Sequence, residues 1–122
     1  MSGNGLEVIK NVDLEEVVAA MTPQEIDEVL KMRRAIIESF CSMETHRSNA
    51  ALMRASSNRH GFQAIEAAKK NREDGVEDPG IEALCKARQY ADTIQAKNCE
   101  LRAEQSALEN QLYTTSFLSL TG

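Results

Sequence analysis

Arg72-Glu73-Asp74-Gly75-Val76-Glu77-Asp78-Pro79-Gly80 decides how this chain folds. Glycine tolerates the left-handed conformation that ends many helices, and a proline a few residues on cannot continue one. Gly75 therefore marks a stop, and Asp78-Pro79-Gly80 opens a new helix. Helical patterns run up to the stretch from both sides, so it reads as the turn of a helical hairpin at 74–80.

Toward the N-terminus, Thr22-Pro23-Gln24-Glu25 is the strongest start signal. Thr22 can cap, Pro23 suits the first helical position, and Glu25 is spaced to return a bond to the cap. Ile26, Val29, Leu30, Ile36, Ile37, Phe40 and Met43 then gather on one face at about 100° per residue. Ser56-Ser57-Asn58-Arg59-His60-Gly61 would suit a turn, yet Phe62 and Ile65 return to the same angular band. That phase predicts one helix over 23–73, bent if anywhere at Gly61. Upstream, Asp13 and Glu16 have capping-box spacing, and Leu14, Val17, Val18 and Met21 predict a short helix over 13–21. Residues 1–12 read as an arm.

Toward the C-terminus, Leu84, Ala87, Ala91, Ile94, Asn98, Leu101, Gln105, Leu108 and Leu112 alternate in steps of three and four. That is the heptad pattern of coiled-coil packing, and it predicts a helix over 80–116. From Leu112 to Leu120 the chain leaves the heptad and turns apolar and β-branched, and residues 117–122 read as a tail, docked on its own domain or on a neighbour. The expected fold is all-α: a long helical hairpin with coiled-coil-like packing and a short N-terminal helix, non-globular or oligomeric.

Composition fits such a molecule. Aromatics are 4% of 122 residues and Trp is absent, so the core has to come from aliphatic side chains and alanines. No run reaches the ~18 apolar residues of a membrane span. Met1-Ser2-Gly3-Asn4-Gly5 has neither the basic nor the apolar region of a signal peptide. Cys41, Cys85 and Cys99 are odd in number and widely spaced, as free thiols of a reducing compartment would be. The expected home is the cytoplasm, or a particle assembled there.

The net charge of −5 is unevenly spread. Residues 1–28 carry seven acids against Lys10, 29–72 carry nine Lys and Arg against three acids, and 73–122 carry nine acids against four bases. An acidic–basic–acidic chain can satisfy itself by folding back or by meeting copies of itself. Nucleic acid is a weaker candidate for the basic stretch at 47–72, because no aromatic platform accompanies it and both flanks are acidic.

Catalytic chemistry has little to work with. Cys41 and His46 are five apart, a spacing that does not bring them together on a helix, and no nucleophile elbow or phosphate-cradling glycine loop occurs. No C-x-x-C or H-x-x-x-H offers metal ligands, so neither metal nor cofactor is expected. The candidate residues are those of a protein interface: Ile26, Val29, Leu30, Ile37 and Phe40, with Leu101, Leu108 and Leu112. Arg33, Arg47 and Arg54 share the apolar stripe of Ile26 and Phe40. With the turn at 74–80, facing residue numbers sum to roughly 154, which puts Arg54 beside Glu100. Arg54 and Glu100, with Asn98 and Gln105 in the heptad, are candidates for setting register, since a wrong pairing strands a buried polar group.

Helix lengths complete the expectation. At 1.5 Å per residue the first long helix spans roughly 75 Å and the last roughly 55 Å, so Ile26, Val29, Leu30 and Ile36 are left for the helix at 13–21 to fold back over or, as its small bulk favours, for another chain to cover. The function expected is that of a non-enzymatic structural or assembly subunit in a homo-oligomer or larger complex. A regulatory adaptor for a partner helix and a nucleic-acid-associated helical protein are the alternatives.

Overall fold

The computed structural model describes residues 5–73, 75 and 79–122; only the backbone of Pro79 is described. Four helices follow in order: α1 (Gly5–Asn11), α2 (Leu14–Val18), α3 (Pro23–Glu73) and α4 (Pro79–Thr121). There is no strand among the described residues, and α3 packs against α4 as a helical hairpin. Gly75 has φ of 68°, the left-handed conformation that its place after α3 requires. The other turn residues, 74 and 76–78, lie outside the described residues.

The start of α3 follows its sequence closely. Glu25 N donates to Thr22 Oγ1 at 3.3 Å, and Thr22 N donates to Glu25 Oε1 at 3.2 Å. Two main-chain donors are thus satisfied reciprocally. At α2 only half of this arrangement forms, with Glu16 N donating to Asp13 Oδ1 at 3.3 Å, and the helix stops at Val18. The weak stretch Ser56–Gly61 stays helical.

Both ends of the chain differ from the expectation. Residues 5–11 of the expected arm form α1, while residues 1–4 lie outside the described residues. The expected tail is the last turn of α4, which runs to Thr121. Three threonine hydroxyls near this end bond back into the helix. Thr114, Thr115 and Thr121 donate to the carbonyls of Asn110, Gln111 and Phe117 at 2.6, 3.0 and 2.8 Å.

The chain divides into two units, Met1–Thr45 with Arg102–Gly122, and His46–Leu101. The first holds the apolar core. Val29, Ile36 and Phe117 are fully buried, with Val8, Ile9, Val12, Leu14, Met21, Met32 and Tyr113 packed around them. Burying such a side chain contributes about 1.5–3 kcal/mol. Val29 and Ile36, expected to await another chain, are therefore covered by α1, α2 and the end of α4. A short helix is marginal alone and gains stability from packing of this kind.

Gly5 shows how closely α1 is seated. A Cβ there would lie 2.5 Å from Ile36 Cγ2 and from Thr114 Oγ1, closer than real contacts allow. The second unit is built differently. Among its described residues the buried ones are Ala50, Ser57, Ala64 and Ala96, and small residues at a contact let helices approach closely.

Candidate protein interface

Within each unit the α3–α4 contact follows steps of three and four. In the first unit the buried and half-buried positions at this spacing are Val29, Met32, Ile36, Ser39 and Met43 on α3, and Ala103, Ser106, Asn110, Tyr113 and Phe117 on α4. In the second they are Ala50, Met53, Ser57, His60 and Ala64 on α3, and Gln89, Asp92, Ala96 and Cys99 on α4. Both helices thus turn a heptad stripe inward.

The inward stripe of α4 is not the one richest in leucine. Leu84, Leu101, Leu108 and Leu112 are 66, 62, 62 and 68% exposed, and Asn98 and Gln105 are exposed with them. The expected seam therefore lies outside the hairpin, roughly 150° around the helix from the stripe that packs. The stripe that packs inside combines Ala96, Ala103, Ser106 and Asn110, which allow close approach and hydrogen bonding, with Tyr113 and Phe117, which add apolar burial.

Asn110 anchors the inward stripe of the first unit. Its Nδ2 donates to Ile36 O at 2.9 Å and Ser39 Oγ at 3.0 Å, while its Oδ1 accepts from Gly5 N at 3.2 Å. Ser106 Oγ reaches Ser42 Oγ at 3.3 Å on the same contact. One side chain thereby joins α1, α3 and α4.

In the second unit Ser56, His60 and Asp92 form a polar cluster. Ser56 Oγ donates to Asp92 Oδ2 at 2.6 Å, and His60 Nδ1 meets the same oxygen at 2.8 Å. Alongside, Ser57 Oγ lies 2.9 Å from Thr93 Oγ1 and 3.3 Å from Gln89 O. The hydrogen bond from Ser56, then that from His60 and the nearby charges of His60 and Arg88, hold the Asp92 carboxyl below its ordinary 3.8. The residue types suggest a catalytic triad, but the arrangement is a different one. In a triad the serine meets the imidazole nitrogen remote from the carboxylate. Here Ser56 gives its hydrogen to Asp92 itself and lies 3.5 Å from His60 Nδ1, the same nitrogen that meets Asp92.

Arg54 and Glu100 meet across the hairpin, with Arg54 Nη2 2.8 Å from Glu100 Oε1 and Nε 2.9 Å from the same atom. Their side chains are 43 and 47% exposed, so the pair sits at the edge of the contact and not within it. Of the other candidates, Val29 is buried, Ile26, Ile37 and Phe40 are half-buried, and Leu30 is exposed. Gln105 is occupied along its own helix, donating to Glu109 Oε1 at 3.3 Å.

Asn110, Ser57, His60 and Asp92 are the residues that hydrophobic pattern reading passes over. They belong to a second three-four repeat on each helix, in which small and polar residues stand among Val29, Ile36 and Phe117 and periodicity alone gives them no weight. Among the described residues no group of three or more His, Cys, Asp or Glu could hold a metal ion. No described helix is long and apolar enough to cross a membrane. No protein-family model matches the chain, and no curated protein or solved structure is significantly similar to it.

Proposed function

We propose that this protein is a non-enzymatic structural or assembly subunit that joins a homo-oligomer or larger complex through the outward face of α4. The observation that carries this reading is the exposure of Leu84, Leu101, Leu108 and Leu112 at heptad positions. Isolated exposed leucines are ordinary, but a stripe at coiled-coil spacing is what a partner helix buries. The hairpin satisfies its own inner contact, which leaves this face available for association. Three free cysteines fit a reducing compartment, the cytoplasm or a particle assembled there.

The nucleic-acid alternative is weaker on this geometry. Arg54 and His60, two members of the basic stretch, are engaged by Glu100 and Asp92. The unit His46–Leu101 carries nine Lys and Arg against eight Asp and Glu, which is close to neutral.

Thermal unfolding over a range of protein concentrations tests the proposal. An associating protein melts higher as it is concentrated, by mass action. The parent should show this rise, and Leu101→Glu with Leu108→Glu should abolish it without loss of helicity. A concentration dependence that survives both changes would place the interface elsewhere.

A further inference from the structure

The charges that border the outward stripe of α4 choose a partner and a direction. With Leu84, Ala91, Asn98, Gln105 and Leu112 at one core position, and Ala87, Ile94, Leu101 and Leu108 at the other, the flanks are fixed. Arg88, Gln95, Arg102 and Glu109 lie on one side, and Tyr90, Lys97, Glu104 and Gln111 on the other. All of these belong to one unbroken helix, Pro79–Thr121.

Two copies paired parallel and in register would set Lys97 against Arg102, and Glu104 against Glu109. Every charged contact would repel. Paired antiparallel, with facing residue numbers that sum to roughly 200, Lys97 meets Glu104 of the second copy and Arg88 meets Glu109. By symmetry each contact occurs twice, and all four attract. A shift of one heptad in either direction brings Arg102 opposite itself or Lys97 opposite itself.

In the core the same register sets Ala91 opposite Leu108 and Ala87 opposite Leu112, a small residue against a large one, while Ile94 meets Gln105 and Asn98 meets Leu101. Asn98 falls beside the two-fold axis, within about one helical turn of its own counterpart, where the two amides can reach each other. The overlap runs from residue 84 to about 115, roughly 48 Å of helix and more than four heptads, enough for sustained coiled-coil packing.

We infer that the partner of this face is a second copy of the same chain, docked antiparallel through α4 with Lys97–Glu104 and Arg88–Glu109 pairs across the interface. This rests on the proposed role of the outward face and adds who occupies it and in which direction.

Charge reversal read by sedimentation equilibrium tests it. Lys97→Glu alone, or Glu104→Lys alone, should weaken dimerisation about tenfold at low salt, and the two together in one chain should restore it. In a parallel pair either single change would relieve a repulsion and tighten the dimer, which would overturn the inference and leave the face itself as the interface. A parent chain that stays monomeric to millimolar concentration would overturn self-pairing outright. An association that ignores these charges and also survives Leu101→Glu with Leu108→Glu would instead remove the reading beneath it.

Discussion

Asn110 on α4 donates from Nδ2 to the main-chain oxygen of Ile36 on α3 at 2.9 Å, with only 3% of its surface exposed. Its three side-chain hydrogen bonds, to Ile36 O, Ser39 Oγ and Gly5 N, join α1, α3 and α4. Asn110→Ala would leave Gly5 N without its acceptor and open space beside Ile36. Truncating a buried, satisfied amide costs about 1–3 kcal/mol. A urea midpoint unchanged from the parent would mean that this node is dispensable.

Arg54 and Glu100 should couple weakly despite their short contact. Half-exposed ion pairs contribute about 0.2–1 kcal/mol, because solvent screens them and ordering two long side chains is costly. A double-mutant cycle with Arg54→Ala and Glu100→Ala should return a coupling in that range, falling as salt is added. A coupling of several kcal/mol, insensitive to salt, would show a pair enclosed within the contact.

Asp92 gives stability a defined pH dependence. Its carboxyl is held below its ordinary 3.8 by Ser56 first and by His60 next. Such a group contributes stability that is fully present above its ordinary value and is lost as pH falls through the lowered one. Asp92→Asn should therefore melt lower at neutral pH and lose less stability than the parent on acidification below about pH 4. Parallel acid limbs for the two proteins would contradict the assignment.

Asn98 separates the hairpin from the association. Exposed on the outward stripe, it takes no part in the α3–α4 contact. Asn98→Leu should leave the unfolding of dilute, monomeric protein unchanged while tightening association and broadening the range of oligomers formed. A polar residue in a seam sets register at a cost in stability, and leucine removes both effects. A large change in the melting of dilute protein would mean that Asn98 faces inward after all.

The hairpin was legible because its signals are local. Thr22 through Glu25 form the bonds their order implies, and Gly75 adopts the conformation that only its lack of a side chain makes easy. Two things were not legible. The leucine stripe of α4 outweighs the stripe through Ala96, Ala103, Ser106 and Asn110 on any hydrophobic measure, yet the second one packs. Small residues contribute by letting backbones approach, and Asn110 by bonds to groups far away in sequence, neither of which periodicity weighs. Nor could the termini be read locally. Residues 5–11 and the end of α4 are helical because Val8, Ile9 and Phe117 bury themselves against Val29 and Ile36, a tertiary effect that overrides weak propensity.

The molar mass of the parent chain and of its Leu101→Glu, Leu108→Glu variant, measured by light scattering over a wide concentration range, decides whether the outward stripe of α4 is a pairing surface. Both leucines are exposed in the hairpin, so the variant should fold, and its circular dichroism should match the parent's. The parent should approach twice its chain mass of 13.5 kDa as it is concentrated, and the variant should remain at 13.5 kDa throughout. A parent that stays at 13.5 kDa at every concentration, or a variant that associates as the parent does, would contradict the account.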